Sequence, residues 1–584
     1  MCAIAGILTL SGSPEVRPML DALRHRGPDQ IGVTRLGPCE IGAARLAIVD
    51  PHNGAQPMRD QRANTAVVFN GEIYNADELR DALIALGHVF TSRCDTEMVL
   101  RGWIEWGLDL PQRLRGMFAI AVLEPDRLIL LRDPLGIKPL RFTSRGGEFR
   151  FASEAKALLG HLGATPSLDD TAFADFVALG YPTGGRTFFA GISTLPPGHY
   201  LTVDWAKGLH VGEPRPYQLR TPPPLPSCRE QAEQQFTEAL LAATRSHLRA
   251  DVEVAAVLSG GIDSAMLAFM AAEHSAKPLR TFTVADAPDH PDAVAAQRVA
   301  SAIGADHTLL TFDFDDYLAA IPATIAAVEA PDLHAGPFFH LMCRQIGRSA
   351  KACINGEGAD ETLGGYYDPD ETVATLNAGF RRAEAAGLQP SGRAFAIRDA
   401  LITAAAQGAR GLRATLDISL QDLLERAQLD PVDAIAMASG VEMRVPYLDP
   451  EVQAVVRGLP PDDIVDGTLG ITKRVLRRAA LRRYGTAIFD SAMRPKMMMP
   501  HAPRGHASRF ARLCERAVPL AVVRRSAFGR CFASSSDFVL FELFRRIHLS
   551  GASQAFTMTD LLADLARDSR GVPRAMAPAE AVAP

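Results

Sequence analysis

Val257-Leu258-Ser259-Gly260-Gly261-Ile262-Asp263-Ser264 joins an apolar run at 252–258 to a helical run at 265–276, and a second apolar run follows at 280–284. Strand, glycine turn, helix and a further strand predict a parallel α/β sheet. The glycines let the backbone come close to a ligand, Ser259 and Ser264 offer hydroxyls, and the helix N-terminus favours an anion. The GxxxxGK[ST] spacing of a Walker A loop is missing. The stretch therefore predicts a phosphate loop of another kind.

Upstream, 229–248 is helical, and a Pro-rich stretch at 221–227 has no periodicity and predicts a linker. Before it, short apolar runs at 43–49, 65–69, 118–123, 128–131 and 149–152 alternate with turn signals. They predict packed antiparallel sheets with covering helices. Residues 399–483 are mostly helical, and the Ala- and Pro-rich end of the chain is expected to fray. The expected division is 2–205, a linker at 206–229, 230–505, and a divergent extension at 506–584, with no internal repeat.

The 584 residues exceed one core and suit two to four domains. Hydrophobic content of 47% with 22% charged residues describes an ordinary soluble chain, and a net charge of −6 gives no reason to expect nucleic acid or an anionic membrane. No apolar run nears the roughly 18 residues that span a bilayer, and the N-terminus lacks signal-peptide features. The eight cysteines are scattered without a CxxC pair, so free thiols and a cytoplasmic location are expected.

Cys2 becomes the first residue once Met1 is trimmed. An N-terminal cysteine carries its own base, because an α-amino group titrates at about 7.7–8.0 and can take the thiol proton. Five motifs follow in order: Arg24-His25-Arg26-Gly27-Pro28-Asp29, Ala44-Arg45-Leu46-Ala47-Ile48-Val49-Asp50, Phe69-Asn70-Gly71-Glu72-Ile73-Tyr74-Asn75, Cys94-Asp95-Thr96-Glu97 and Arg132-Asp133-Pro134-Leu135-Gly136. Together they resemble the class II, N-terminal-nucleophile glutaminase domain over about residues 2–200. The resemblance implies an αββα sandwich with Cys2 as nucleophile and Asn70 and Gly71 as oxyanion donors. It also implies a glutamine site of Arg45, Leu46, Ile48, Val49, Asn70, Gly71, Glu72 and Asp95. In that site Arg45 takes the α-carboxylate, and Glu72 and Asp95 take the α-ammonium. Arg24 and Arg26 are expected only as supports.

The phosphate loop resembles the SGGxDS loop of enzymes that cleave ATP between the α- and β-phosphates. Its counterpart is Ile354-Asn355-Gly356-Glu357-Gly358-Ala359-Asp360, followed by Val441-Glu442-Met443-Arg444-Val445-Pro446-Tyr447-Leu448-Asp449 and the basic run at 472–477. Both halves in this order are similar to the glutamine-hydrolysing asparagine synthetase family, from residue 2 to about 500. That similarity implies a two-domain α/β and α+β protein whose C-terminal domain is a parallel α/β sheet with the pyrophosphate loop and added helices. It implies ATP contacts at Leu258, Ser259, Gly260, Gly261, Asp263, Ser264, Val284, Asn355 and Gly356, Mg²⁺ on Asp263 and Asp360, and catalytic roles for Glu357 and Lys473. A carboxylate would attack the α-phosphate to give an acyl-adenylate and pyrophosphate. Ammonia from glutamine would then cross an apolar channel and displace AMP, with Glu357 taking the excess proton. The implied partners are glutamine, ATP and a carboxylic acid, and a homodimer is the expected assembly.

Some stretches depart from the family pattern. The segment 331–340 carries Phe338, Phe339, His334 and His340 where hydroxyl residues are expected. Val432-Asp433-Ala434 is altered, Met497-Met498-Met499 replaces a polar turn, and 501–584 matches nothing in the pattern. Apolar side chains at the acceptor end predict an acid less polar than aspartate, with aspartate the alternative. A β-lactam synthetase type, which generally lacks the N-terminal cysteine and carries Tyr at the position of Glu357, fits less well. A non-catalytic binding role would predict erosion at Cys2, Asn70, Asp95, Asp263 or Asp360, and none is eroded.

Overall fold

Along Thr65–Ile73, Ala66 and Val68 face one way and Val67, Phe69 and Ile73 the other, and all are buried. A strand buried on both faces needs a layer on each side. The computed structural model, which describes residues 2–160, 165–218, 228–333, 336–467, 469–494, 505–525, 528–550 and 557–568, supplies both layers. Thr65–Ile73 sits in a seven-stranded antiparallel sheet, and Cys2–Thr9 in a six-stranded one. Ile4 and Leu8 meet Ala66 and Val68 between the sheets, while Ala3, Ala5 and Ile7 turn outward toward Met19, Leu20 and Phe173 of the covering helices. On the far side Leu83, Met98 and Trp103 of helices Ala76–Ala85 and Asp95–Trp106 close the sandwich. This is the αββα arrangement expected from the sequence. Pairing continues past residue 205, since Arg215–Pro216 joins His199–Asp204. The Pro-rich 221–227 lies outside the described residues.

One expected strand is cut short. The run at 43–49 is a strand only to Arg45, within Cys39–Arg45. The Arg45 guanidinium then donates to the carbonyls of Val49 (3.1 Å), Asp50 (2.8 Å) and Pro51 (2.9 Å), which folds the chain back over the strand end. The turn needs Gly54, where a Cβ would stand 2.1 Å from Arg45 Nη2.

The second half is a five-stranded parallel sheet in the order Asp306–Thr311, Arg280–Ala285, Val254–Val257, Ala352–Ile354, Glu442–Arg444. From Val254–Val257 the chain adds two strands on one side and then returns to add Ala352–Ile354 on the other. The sheet therefore reverses direction between Val254–Val257 and Ala352–Ile354, which is where open α/β sheets bind ligands. The helix expected at 265–276 runs from Ile262 to His274, starting directly at the glycine turn.

Helices from His506 onward pack on both halves. Phe173 stacks on Phe528 with ring centroids 5.4 Å apart and lies 4.9 Å from Phe541. On the other half, His506 reaches the Phe312 carbonyl (2.9 Å) and His548 that of Ile325 (3.2 Å). Between the halves Arg26, fully buried, bridges Glu154 and Asp433 at 2.7 Å each, and Lys138 reaches Asp433 at 2.9 Å. Breaking such a pair leaves buried charge without a counterion and costs about 3–5 kcal/mol. Asp433→Ala is expected to lower stability by that order, read from the urea midpoint and slope. A loss below about 1 kcal/mol would mean that water reaches Arg26 and Lys138.

Candidate functional site

Cys2 opens its strand almost wholly buried, and its backbone N–H donates to Asn70 Oδ1 at 3.1 Å. The other end of that amide, Asn70 Nδ2, is buried with no acceptor among the described residues. A buried donor of this kind is costly unless something occupies it. Gly71 follows in a place only glycine fits, since a Cβ there would lie 2.0 Å from the Met117 carbonyl. Gln56, which the sequence reading overlooked, donates Nε2 to Cys2 Sγ (3.3 Å) and to the Phe69 carbonyl (2.9 Å), and accepts from Phe69 N–H (2.7 Å). No motif marked it, because the loop that carries it is placed by the Arg45 turn. Burial pushes the Cys2 thiol up, against the amino-terminal charge, the Leu46 N–H and Arg45.

Arg45, Leu46, Ile48, Val49, Gly71, Glu72 and Asp95 line one cavity with Cys2. Asn70 stands behind it through its contact with Cys2. Arg45 has committed three N–H groups to backbone carbonyls, so at most two remain for a ligand. Glu72 and Asp95 are buried side by side. Burial raises Glu72 well above the usual carboxylate range and Asp95 adds to this, against Arg444 and Arg249. Asp95 Oδ2 is held by the Ile73 N–H at 2.7 Å.

The two phosphate-side loops meet as the sheet topology requires. A Cβ on Gly356 would stand 3.3 Å from Asp263 Cβ and 3.4 Å from Ser264 N. Ser259 N–H and Oγ both reach Ser264 Oγ at 3.0 Å. Gly260 has φ +73°, and a Cβ there would press on Ala295 and Ala296 at 2.6 Å. Lys473, nearly fully buried, places Nζ 2.5 Å from both Asp263 Oδ2 and Asp360 Oδ1. Burial alone would lower this lysine, but the two carboxylates outweigh it and raise it. Its φ of +57° is unusual for a non-glycine residue and aims the side chain between the acids. Gly365 makes room, since a Cβ there would collide with Asp360 Oδ1. Leu258 is fully buried, so only its backbone could meet a ligand, and Val284 is 9% exposed at the end of the neighbouring strand. Asn355 N–H donates to the Arg444 carbonyl at 2.8 Å, and Glu357 sits half-buried in the same loop.

An apolar seam joins the two sites. Tyr74, Met117 and Ile137 from the sandwich pack with Leu424, Val445 and Leu448 from the second half. At one end the Met117 carbonyl abuts Gly71, and at the other a Cβ on Gly358 would strike Leu448 at 2.3 Å.

The residues expected to make the acceptor end apolar are placed otherwise. Phe338 and Phe339 belong to the core of helix Gly336–Ile346, with the Phe338 ring 5.4 Å from Tyr317 and 5.3 Å from His506. Burial lowers His340 to about 4, so it is neutral near pH 7 and offers a carboxylate no charge. His334 and Met497–Met499 lie outside the described residues.

Among the described residues no helix is long and apolar enough to cross a membrane. The glutamine amidotransferase domain family matches residues 1–214, and the asparagine synthase family matches residues 235–546, so the match runs well into the extension expected to be divergent. A putative glutamine-hydrolysing asparagine synthetase of Mycobacterium tuberculosis is 32% identical, over 78% of this chain and 80% of its own. Asparagine synthetase 3 of Bacillus subtilis is 29% identical, over 76% and 77%. The chain belongs to the glutamine-hydrolysing asparagine synthetase family, and is an ATP-dependent carbon–nitrogen ligase with glutamine as its amido donor.

Proposed function

We propose that this enzyme makes asparagine from aspartate, with Cys2 as the glutaminase nucleophile and the loops at 258–264 and 355–360 as the ATP site. The observation that carries the reading is the apolar seam whose two ends touch Gly71 and Gly358. Ammonia must cross un-protonated, and a water-poor path lined by Met117, Val445 and Leu448 suits a neutral molecule. Aspartate rests on the names of the relatives. The rival, a less polar acid, keeps only Met497–Met499 in its favour, since Phe338 and Phe339 belong to the core.

On this reading the Cys2 thiolate attacks the glutamine amide, and the free Asn70 Nδ2 and the Gly71 N–H stabilise the oxyanion. Gln56 steadies the sulfur. Asp263 and Asp360 already converge on one cation, the Lys473 ammonium, and two carboxylates plus substrate phosphates are a usual Mg²⁺ set. That ion would neutralise phosphate charge when bound. Lys473 stabilises charge on the α-phosphate and departing pyrophosphate, and Glu357 accepts a proton as ammonia attacks the acyl-adenylate.

Cys2→Ala is expected to abolish synthesis with glutamine and to retain it with ammonium salts, with AMP and pyrophosphate as products. Stoichiometric ADP and orthophosphate would overturn the ATP-site reading. Val445→Phe, which fills the seam, is expected to raise glutamate released per amide formed severalfold while each half-reaction persists; unchanged coupling would mean that ammonia takes another route. Aspartate is expected to exceed apolar and aryl acids in kcat/KM by more than the tenfold that about 1.4 kcal/mol represents. A faster apolar acid would displace the asparagine assignment.

A further inference from the structure

Glu72 and Asp95 form a buried pair of carboxylates, and a cation already lies between them. Arg249, from the end of the segment entering the parallel sheet, places Nη1 3.4 Å from Glu72 Oε1 and 3.3 Å from Asp95 Oδ1. Its Nη2 lies 3.2 Å from Asp77, an exposed surface carboxylate. Glu72 and Asp95 both line the cavity beside Cys2.

The backbone of this segment is fixed. Arg444 Nη1 donates to the carbonyls of His247 and Arg249 at 2.6 Å each. Two residues on, Asp251 N–H donates to the Ile48 carbonyl (3.0 Å), and its carboxylate takes the Asp50 N–H (2.8 Å). The Arg249 side chain is held less tightly. Its contacts of 3.2–3.4 Å exceed the 2.7–2.9 Å of strong charge-assisted pairs. It is 21% exposed, and Asp77 on the outside gives the guanidinium a partner if it rotates outward.

We propose that Arg249 is a built-in competitor of glutamine, its guanidinium filling the subsite for the substrate's α-ammonium and swinging out toward Asp77 when glutamine binds. This rests on the reading of Glu72 and Asp95 as the ammonium ligands. Arg444 Nη2 holds the other oxygen of Glu72 at 3.1 Å, so Arg249 is the counterion on the side shared with Asp95, and a second cation arriving at that side would repel it. Arg249 thus gives Asp95 and the near oxygen of Glu72 a counterion between turnovers and sets the glutamine KM. It also shapes specificity, because a glutamine analogue without the amine can bind while Arg249 stays in place.

The test uses the full-length enzyme and two substrates, glutamine and its amine-free analogue 4-carbamoylbutanoate, with glutaminase activity as readout. Arg249→Met is expected to lower the glutamine KM at least fivefold with kcat within about twofold, a difference of about 1 kcal/mol in binding. It is also expected to raise the preference for glutamine over the analogue tenfold, which mere loosening of the interface would not do. Arg249→Lys, keeping charge on a shorter reach, should fall between the two. Asp95→Asn should raise the glutamine KM. If it does and Arg249→Met fails to lower the KM or sharpen the preference, the competitor role is wrong and the ammonium subsite stands. If Asp95→Asn leaves both KM and preference unchanged, the subsite reading falls and the competitor role falls with it.

Discussion

The buried guanidinium of Arg444 ties both halves of this enzyme together beside the Cys2 cavity and the Asn355 loop. It is fully buried, and it donates to Glu442 (2.6 Å), to Glu72 (3.1 Å) and to the carbonyls of His247 and Arg249. A guanidinium deprived of water needs its N–H groups satisfied, and these acceptors come from the sandwich and the parallel sheet together. Burial opposes its charge, and Glu442 and Glu72 more than restore it. Glu442 in turn is held down to about 2: burial pushes it up, and the amino-terminal charge and Arg444 overcome this. The backbone of Arg444 also receives the Asn355 N–H. One residue therefore fixes the loop at Asn355, the segment carrying Arg249, and a wall of the cavity beside Cys2.

Around that tie the two sites are set by close approach. Gly71, Gly356, Gly358 and Gly365 each stand where a side chain would meet neighbouring atoms at 3.3 Å or less. The cost of such packing is sequence freedom, and the gain is that both loops lie against one seam of Met117, Ile137, Val445 and Leu448. The apolar contact between the halves is flanked by ion pairs that are themselves buried. Arg26, Lys138 and Asp433 are one such group, and Arg141 with Asp430 (2.6 Å) is another. Charges saturated by partners do not draw water inward.

Among the described residues, the stretches that depart from the family pattern have structural occupations. Asp433, in an altered segment, is the acid between the halves. Phe338 and Phe339 pack in the core with Tyr317, and the aromatic helices after residue 505 cover both that core and Phe173 of the sandwich. A phenylalanine where a hydroxyl is expected can mark a new substrate or a new packing partner. Sequence cannot separate these, because a core face and a binding face share the same apolar composition.

The sequence by itself determined the class of each half. Glycines beside a strand and alternating runs around Asn70 and Gly71 reflect local backbone demands, and local demands are written in order along the chain. Through the family its motifs resemble, it grouped Cys2 with Asn70, Gly71, Glu72 and Asp95, and Asp263 with Asp360, groups that the structure brings together. It did not determine that the run at 43–49 leaves the sheet at Arg45, nor that Gln56 touches the sulfur. Nor did it reveal that Arg249 lies between Glu72 and Asp95, both distant from it along the chain. These are decided by tertiary structure, because a side chain's partner is fixed by which backbone groups and charges are brought near it in space. A buried charge takes whichever counterion the packed fold delivers.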